Sequence, residues 1–428
     1  MTIVVRVRPR PDTLAVARLL ITCAVLGVLI ALGFVGFEAL LHRGQHFLWV
    51  TVIGHHPSNV SVITLCLAGG LALGVGLLLV PGHGGHHPAE EHNMLVGGDE
   101  RIPVLLGILL VGLIGLCFGA SLGPEGAVLP VAAGVSVLLA RFLHIPGPMG
   151  QLVKAAGLGA LLAAMFGSPL AGLVPLMELI PSAALSSMAM LVLPSLTAGA
   201  TAVLTLQVMD EVPIGRLPLD YIEFRPIHLL WAVIVGILAG GVGLLVARGV
   251  HLLRPITRRL DTRTVIASTT LGGLILGVLY VLGGENVRFA GIPELLSLIE
   301  DKHTVWPVIG AIAIKLAATA VCIAAGYRGG KIFPVAFVGG ASGLALHLVF
   351  PSIPMPLAVG VGLAASMATA LGAPATAAII AASLVSPALL PLALIGVVSA
   401  HAVHLLADQL ATAAPLAPAA TAAPGSTH

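Results

Sequence analysis

The sequence predicts an all-α protein that crosses a membrane many times and consists of two similar halves with discontinuous helices. Hydrophobic residues make up 58% of its 428 residues and charged residues only 9%, which is too little charge to cover a soluble protein of this size. Several apolar runs are too short to span a bilayer core of about 30 Å, and Gly or Pro interrupts others. Because irregular backbone at membrane depth is tolerated only inside protein or beside a wet cavity, this pattern indicates a transporter or channel.

The N-terminal segment, residues 1–13, carries Arg6, Arg8 and Arg10 ahead of the first apolar run. The positive-inside rule therefore predicts a cytoplasmic N-terminus. The run that follows, about residues 14–41, is longer than a signal-peptide core, so we expect an uncleaved spanning helix. The four cysteines lie in apolar runs without a paired motif, which is typical of packing residues.

An internal repeat divides the chain. Pro130 begins the motif PVA, and Pro334 begins the same motif 204 residues later. A second pair, Pro169 in GSPLAG and Pro374 in GAPATA, has a spacing of 205 residues. Two matches at nearly the same spacing predict two homologous halves.

The arginines predict that the second half is inverted. An arginine-rich stretch within 248–263 follows the apolar run at 227–250 and is expected in the cytoplasm, so this run crosses in the direction opposite to the first. Inverted halves place a binding site near the membrane midplane. The predicted division is a first transmembrane half, an extracytoplasmic linker, a second half and a disordered Ala/Pro-rich tail, at 14–207, 208–226, 227–410 and 411–428.

The stretch SLGPEGAVLPVAAG contains a carboxylate, Glu125, inside an apolar region. Gly123 and Pro124 stop one helix, and Gly126 lets another begin. The free N–H groups at the new helix start carry partial positive charge and form an anion site made of backbone. An intramembrane acid is a functional candidate by default, and here it could occupy the anion site and leave it on protonation. The alternative is a glutamate that only caps its own helix.

The second break, GYRGGKIFPVAF, predicts the same geometry from the other half. Glycines expose amides at its start. A proline in the first helical turn has no N–H, but an N–H at that position would have no partner within the helix. Two positive helix ends that face each other, with basic side chains nearby, select an anion. Alone, each basic residue could instead be a snorkelling interface residue. The predicted amide donors are Lys331, Ile332 and Phe333, and the candidate basic residues are Lys315, Arg328 and Lys331.

The motifs GPEG, GGKIFP about two hundred residues later, and GSPLAG upstream of an intramembrane Glu resemble the CLC family of chloride channels and transporters, a voltage-gated channel family. The resemblance runs from about residue 14 to 407 and is closest to the bacterial ion-transport branch. It implies ion transport across the cell inner membrane, with chloride as the expected ion. It also implies that Glu125 is the gating glutamate and that the segment from Gly330 to Pro334 supplies amides to the central chloride. Homodimers packed through 171–205 and 375–405 are a further implication.

The sequence departs from the CLC pattern at several positions. The serine of the family's Gly-Ser-Gly-Ile-Pro loop becomes Gly85 or His83, depending on the anchor of the alignment, so the hydroxyl ligand is missing. The family's late tyrosine is absent, and His401 and His404 lie in the late helix instead. Ile332 replaces a phenylalanine. Glu178 matches the family's first acid, but Leu179 stands where proton-coupled members have an internal glutamate.

The missing internal glutamate leaves the mechanism open between proton-gated passive conduction and a coupled antiporter that uses Glu178 or water. Glu178 could equally be a structural acid, paired with Lys or capping a helix. The ion-binding candidates are Gly85, Gly126, Lys331, Ile332 and Phe333, and the pore-associated candidates are His83, Pro124, Glu178, Lys315 and Arg328. The expected partners are chloride or another small anion, protons, the lipid bilayer and a second copy of the chain, without nucleic acid, cofactor or resident metal.

Two other functions are alternatives to anion transport. The tract PGHGGHHPAEEH, at 81–92, could bind Zn or Ni and serve a divalent-metal permease. It lacks Cys and a fixed helical face, so a pH-sensitive loop at the pore mouth is favoured. An intramembrane hydrolase would need a nucleophile with its base, and no such constellation is present, so the chain is expected not to be an enzyme.

Overall fold

The structure, a computed structural model, describes residues 13–80, 101–145, 147–179, 188–221, 223–257, 264–301 and 304–413. The helices of the first half within these ranges are α1 (Thr13–His46), α2 (Asn59–Leu79), α3 (Ile102–Cys117), α4 (Glu125–Phe142), α5 (Gly147–Phe166), α6 (Pro169–Leu179) and α7 (Met188–Val208). Those of the second half are α8 (Ile227–Thr257), α9 (Val265–Gly283), α10 (Ile292–Glu300), α11 (Val305–Ala325), α12 (Ile332–Val349), α13 (Met355–Leu371), α14 (Pro374–Leu384) and α15 (Leu390–Ala413).

The predicted polytopic all-α architecture is confirmed. Ten helices in the described ranges are long and apolar enough to cross a membrane, by length and composition. Four further apolar helices, α3, α6, α13 and α14, have fewer than 18 residues. These are the discontinuous elements that the Gly and Pro interruptions predict.

The two halves repeat each other in helix length and in order. α4 and α12 have 18 residues each, and α6 and α14 have 11 residues each. α4 packs against α5, as α12 packs against α13. The halves also meet along α2 and α9, where Gly273 lets two backbones approach closely, because a Cβ there would lie 2.3 Å from the Cys66 carbonyl oxygen.

Local signals explain where several helices begin and end. Ser58 caps α2 by accepting a hydrogen bond from the Ser61 N–H at 3.1 Å. α11 ends at Gly326 and α13 at Gly372, both in the left-handed conformation that favours glycine. α14 starts with Pro374, whose missing N–H costs nothing in the first turn of a helix.

Three elements differ from the hydropathy pattern. The apolar run at 375–407 is two helices, α14 and α15, because Pro387 starts a short 3₁₀ turn between them. α1 continues beyond residue 41 and is followed by a π-helical segment, Phe47–Val52. The helix α10 was not predicted, because its nine residues are amphipathic rather than continuously apolar.

Candidate functional site

The two helix breaks meet inside the protein. The Gly123 N–H donates to the Gly330 carbonyl oxygen, and the Gly330 N–H donates to the Gly123 carbonyl oxygen, each at 2.8 Å. This antiparallel bridge joins the loop before α4 to the loop before α12. It brings the amino ends of α4 and α12, one helix from each half, to one place.

Glycine is required where the breaks touch. A Cβ at Gly126 would lie 2.2 Å from the carbonyl carbon of Gly329, which is backbone and cannot move aside. A Cβ at Gly330 would lie 2.0 Å from the carboxyl carbon of Glu125. The absence of side chains therefore allows both the bridge and the position of the carboxylate.

Glu125 is the first residue of α4, follows Pro124 at the N-cap position, and has no exposed surface. Its Oε1 accepts a hydrogen bond from the Ile332 N–H at 2.7 Å. Its Oε2 is buried and has no hydrogen-bond partner. The sequence alone allowed a glutamate that caps its own helix, whereas the structure places the carboxylate at the start of α12, in the other half.

The first turn of α12 is held by aromatic and apolar packing. Phe333 is 1% exposed and stacks on Phe166 of α5, with ring centroids 5.9 Å apart. Ile332 is also buried, and Pro334 occupies the third helical position. Lys331 is the N-cap residue and is half-buried. An anion at this helix end would meet backbone amides in a water-poor setting, where their partial charges act strongly.

Lys315 of α11 has no exposed surface. Its ammonium donates to three successive carbonyl oxygens, at 3.3 Å to Val287, 3.0 Å to Arg288 and 2.7 Å to Phe289. Its Nζ lies 5.1 Å from the ring centroid of Phe337 of α12. Lys315 therefore does not snorkel to the surface, and its three N–H donors all bond to the loop before α10.

Glu178, near the end of α6, binds the start of another helix. Its Oε1 accepts from the Ala375 N–H at 2.7 Å, and its Oε2 accepts from the Thr376 N–H at 2.9 Å and from the Thr376 hydroxyl. These are the second and third residues of α14, after the proline that has no N–H. The geometry is that of a structural cap on a neighbouring helix.

Several supporting contacts were missed by sequence reasoning. The Tyr280 hydroxyl donates to the Gly119 carbonyl oxygen at 2.6 Å, and Trp49 Nε1 donates to the Cys117 carbonyl oxygen at 3.0 Å. Both bonds hold the end of α3 and the loop that leads to Glu125. The chain has only three Tyr and three Trp. The available signal was the polar atom that each of them carries, because a buried Tyr or Trp needs a hydrogen-bond partner.

The remaining site candidates divide into described and undescribed residues. Arg328 is half-buried in the loop before α12, two residues before the glycine bridge. His83 and Gly85, with the whole histidine tract, lie outside the described residues. In the part of the chain that the structure describes, no group of three or more His, Cys, Asp or Glu side chains could hold a metal ion.

Comparisons with known proteins agree on one family. A sequence profile described as "Voltage gated chloride channel" matches residues 69–405. The chain is 29% identical over 322 residues to "Putative ion-transport protein YfeO" of Escherichia coli O17:K52:H18, covering 74% of this chain and 75% of that protein. The protein of the same name from Salmonella schwarzengrund is 28% identical over 364 residues, covering 82% and 85%.

Solved structures of low sequence identity share the fold. A slow cyanobacterial Cl⁻/H⁺ antiporter superposes with a TM-score of 0.77 at 20% identity, covering 93% of this chain and 99% of that one. A CLC-type fluoride/proton antiporter superposes with a TM-score of 0.76 at 19% identity, covering 92% and 96%. At these identities the likeness shows the architecture, which is the all-α polytopic fold expected from the sequence.

Proposed function

This chain belongs to the voltage-gated chloride channel family and is an anion transport protein, and we propose that it carries chloride through a site gated by Glu125. The observation that carries the proposal is the hydrogen bond from the Ile332 N–H to the fully buried Glu125 carboxylate. A helix amino end is a backbone anion site. Glu125 occupies this site as a tethered anion.

Gating follows from exchange at that site. While Glu125 is ionised, it competes with a free anion for the amides at the start of α12. When Glu125 takes up a proton, it loses its charge and much of its attraction to the helix end, since hydrogen bonds to charged groups are the stronger ones. The side chain then leaves, and chloride takes its place. The unpartnered Oε2 supports this, because only Oε1 accepts a hydrogen bond of ordinary geometry, from the Ile332 N–H.

The surrounding residues have distinct proposed roles. The amides of Ile332 and Phe333 bind the dehydrated anion, and Gly126 contributes the opposing helix end. Lys331 and Arg328 add positive charge at the break. Lys315 acts only through its electrostatic field, because its donors are bonded to carbonyl oxygens.

Flux from chloride-loaded liposomes tests the gate. Wild-type protein should release chloride faster at acidic pH, and Glu125→Gln and Glu125→Ala should lose that pH response. A charge-assisted hydrogen bond of about 1.5–3 kcal/mol corresponds to about tenfold or more in site occupancy, so flux should change by a similar factor. The proposal is wrong if the wild type and both variants all release no more chloride than empty vesicles.

Two transport modes fit this site, a proton-gated channel and a proton-coupled antiporter. The two differ in the reversal potential of the anion current across a pH gradient. A shift of that potential with pH means coupling, and a constant potential means passive conduction. The binding of both Glu178 oxygens to α14 supports a structural role for this acid, so coupling would have to use another group or water.

The cellular setting belongs to the same proposal. The chain is a multi-pass membrane protein, and we place it in the bacterial inner membrane with a cytoplasmic N-terminus, as Arg6, Arg8 and Arg10 favour. The two halves are taken as 14–207 and 227–410, joined by the extracytoplasmic linker 208–226. We expect a homodimer, and a monomer by light scattering in detergent would contradict that expectation.

A further inference from the structure

Another intramembrane acid, Glu38 of α1, lies on the buried side of its helix. Phe34, Phe37 and Leu41, which share that side, are each about 5–6% exposed. The Glu38 side chain itself is 16% exposed. Its Oε1 is buried and has no hydrogen-bond partner. An acid at this depth needs a functional or structural reason, and no capping or ion-pair role satisfies this oxygen.

The other carboxylate oxygen of Glu38 faces a histidine. His42, one helical turn later, has its Nδ1 3.7 Å from Glu38 Oε2, and its side chain is 73% exposed. The same Nδ1 lies 3.1 Å from the Glu38 carbonyl oxygen. An exposed imidazole beside a buried carboxyl connects that carboxyl to water at the end of α1. Histidine is the side chain that gains and loses protons most readily near neutral pH.

Glu38 also lies near the gate. α1 packs against α3 and α4, so the helix that carries Glu38 contacts the helix whose first residue is Glu125. Each has one buried oxygen without a partner. Buried polar atoms of this kind are where ordered water is bound in proteins, and we expect water to satisfy both oxygens.

Few other titratable groups face this position. Among the described residues, α3 contributes Cys117, α5 contributes Lys154, and α7 and the π-helical segment after α1 contribute none. Gly157 of α5 lies beside Leu26 of α1, which is about three helical turns before Glu38. Lys154 is therefore at the other end of the contact between α1 and α5.

Four more titratable groups complete the surroundings within the described chain. On α4 the remaining group is Arg141, which lies in the last turn, far from Glu125 in the first. On α1 itself, Arg43 and His46 lie in the last turn. His42 also interacts electrostatically with Glu294 of α10. Glu38 and His42 are thus a titratable pair near the end of α1, on the helix that packs against α4.

We propose that His42 and Glu38 form a proton path between the aqueous surface at the end of α1 and Glu125, which has no exposed surface of its own. The path starts with protonation of the His42 imidazole from water. His42 passes the proton to the Glu38 carboxylate and becomes neutral again. Glu38 then gives a proton to a bridging water, which gives one of its own to Glu125. Charge and atoms balance at each step, and no redox partner is needed.

This inference rests on the proposed gating by Glu125. Its test therefore measures how fast a proton reaches Glu125, which is a different quantity from the flux through the open gate. Proteoliposomes would receive a rapid acid pH jump, and the delay before chloride flux rises would be recorded. Glu38→Gln should lengthen this delay by about tenfold or more, since a positioned proton-transfer group contributes at least that much. His42→Ala should lengthen it less, and added imidazole should shorten it again, because the missing ring is exposed. Glu223→Gln, an exposed acid in the linker, is the matched control and should behave as wild type.

Double variants separate the two hypotheses. In a Glu125→Gln background, adding Glu38→Gln should change nothing further, because the path has lost its end point. The path is wrong if Glu125→Gln abolishes the pH response while Glu38→Gln responds as fast as wild type. It is also wrong if Glu38→Gln slows flux equally in both backgrounds. If Glu125→Gln keeps the full pH response, the proposed gate is wrong, and the path with it.

A second pair of variants covers the case in which Glu38→Gln fails to reach the membrane. Glu38→Asp keeps the acid but shortens its reach, so it should lengthen the delay while leaving the final flux unchanged. His42→Ala should again be rescued by added imidazole. A wild-type delay in both variants would overturn the path.

Discussion

Two glutamates of the first half each bind the amino end of a helix in the second half, but only one of them is fully held. Glu125 of α4 gives one oxygen to α12, and its other oxygen has no partner. Glu178 of α6 gives both oxygens to α14 and accepts three hydrogen bonds. Under the proposed function, this difference separates a carboxylate that is displaced from one that fixes a helix.

The internal repeat relates each acid's own helix to the helix that it binds. α4 corresponds to α12 and α6 to α14, so each acid caps the repeat partner of its own helix. At the spacings of the two proline pairs, the positions that match Glu125 and Glu178 in the second half are Gly329 and Ser383. Neither residue has a carboxylate. These two positions of the second half therefore cannot bind a helix end of the first half in the same way.

The position of proline sets which amides each acid meets. In α14 the proline is the first residue, so the second and third N–H groups are the ones available to Glu178. In α12 the proline is the third residue, so the N–H groups of Ile332 and Phe333 are the ones available, and that of Ile332 binds Glu125. One carboxylate can accept hydrogen bonds from two adjacent N–H groups, as Glu178 does at the start of α14.

The largest expected effect comes from filling the space where the two helix breaks touch, at the proposed gate. Gly126→Ala would put a Cβ 2.2 Å from the Gly329 carbonyl carbon and should cost about 3 kcal/mol, the upper end of the usual range for overpacked sites. Thermal unfolding in detergent and chloride flux should both show the loss. Gly241→Ala in α8, where a Cβ would meet nothing within 4 Å, should be neutral or stabilising by up to about 1 kcal/mol. Equal behaviour of the two variants would show that the breaks do not touch.

The next effect separates the two acids by function. Glu178→Ala should lower stability by about 1.5–3 kcal/mol, because two N–H groups of α14 lose a charged acceptor. Chloride flux per folded molecule and its pH response should remain, in contrast with Glu125→Ala. Thermal unfolding and flux are measured on the same preparations. Loss of the pH response without loss of stability would place Glu178 in the proton route instead.

The smallest effect concerns the support of the first break. Tyr280→Phe removes the hydrogen bond to the Gly119 carbonyl oxygen and should cost about 1 kcal/mol in thermal unfolding. Tyr327→Phe is the control, because its hydroxyl bonds to the Thr269 carbonyl oxygen at the longer distance of 3.3 Å. Its cost should be smaller. If Tyr327→Phe is the more damaging change, the loop before Glu125 depends on other contacts.

Prediction from the sequence succeeded for features that neighbouring residues determine, such as the start of a helix. Gly and Pro at both breaks predicted where new helices start, and α4 and α12 begin within a residue or two of the predicted positions. It was less complete for α10 and Glu38. An amphipathic nine-residue helix gives no hydropathy signal, and an acid near the end of a long apolar run looks like an interface residue until its neighbours are known.

Lys315 shows why a charged residue could be located but not assigned from the sequence. A lysine in an apolar helix either reaches the surface or binds partners inside the protein, and the sequence does not distinguish these two cases. Its three partners are carbonyl oxygens of residues 287–289, more than twenty positions away along the chain. Only the folding of that loop over α11 creates them.

The sequence by itself determined that this protein lies in a membrane, that it has two related halves, and that each half contains a broken helix with an exposed amino end. These features follow from composition, from repeat spacing and from the backbone limits of Gly and Pro. The tertiary structure decided which amino end each carboxylate occupies, because that depends on how the two halves pack. A helix end attracts any nearby anion, and only the packed fold brings Glu125 to α12 with one oxygen unpartnered and Glu178 to α14 with none.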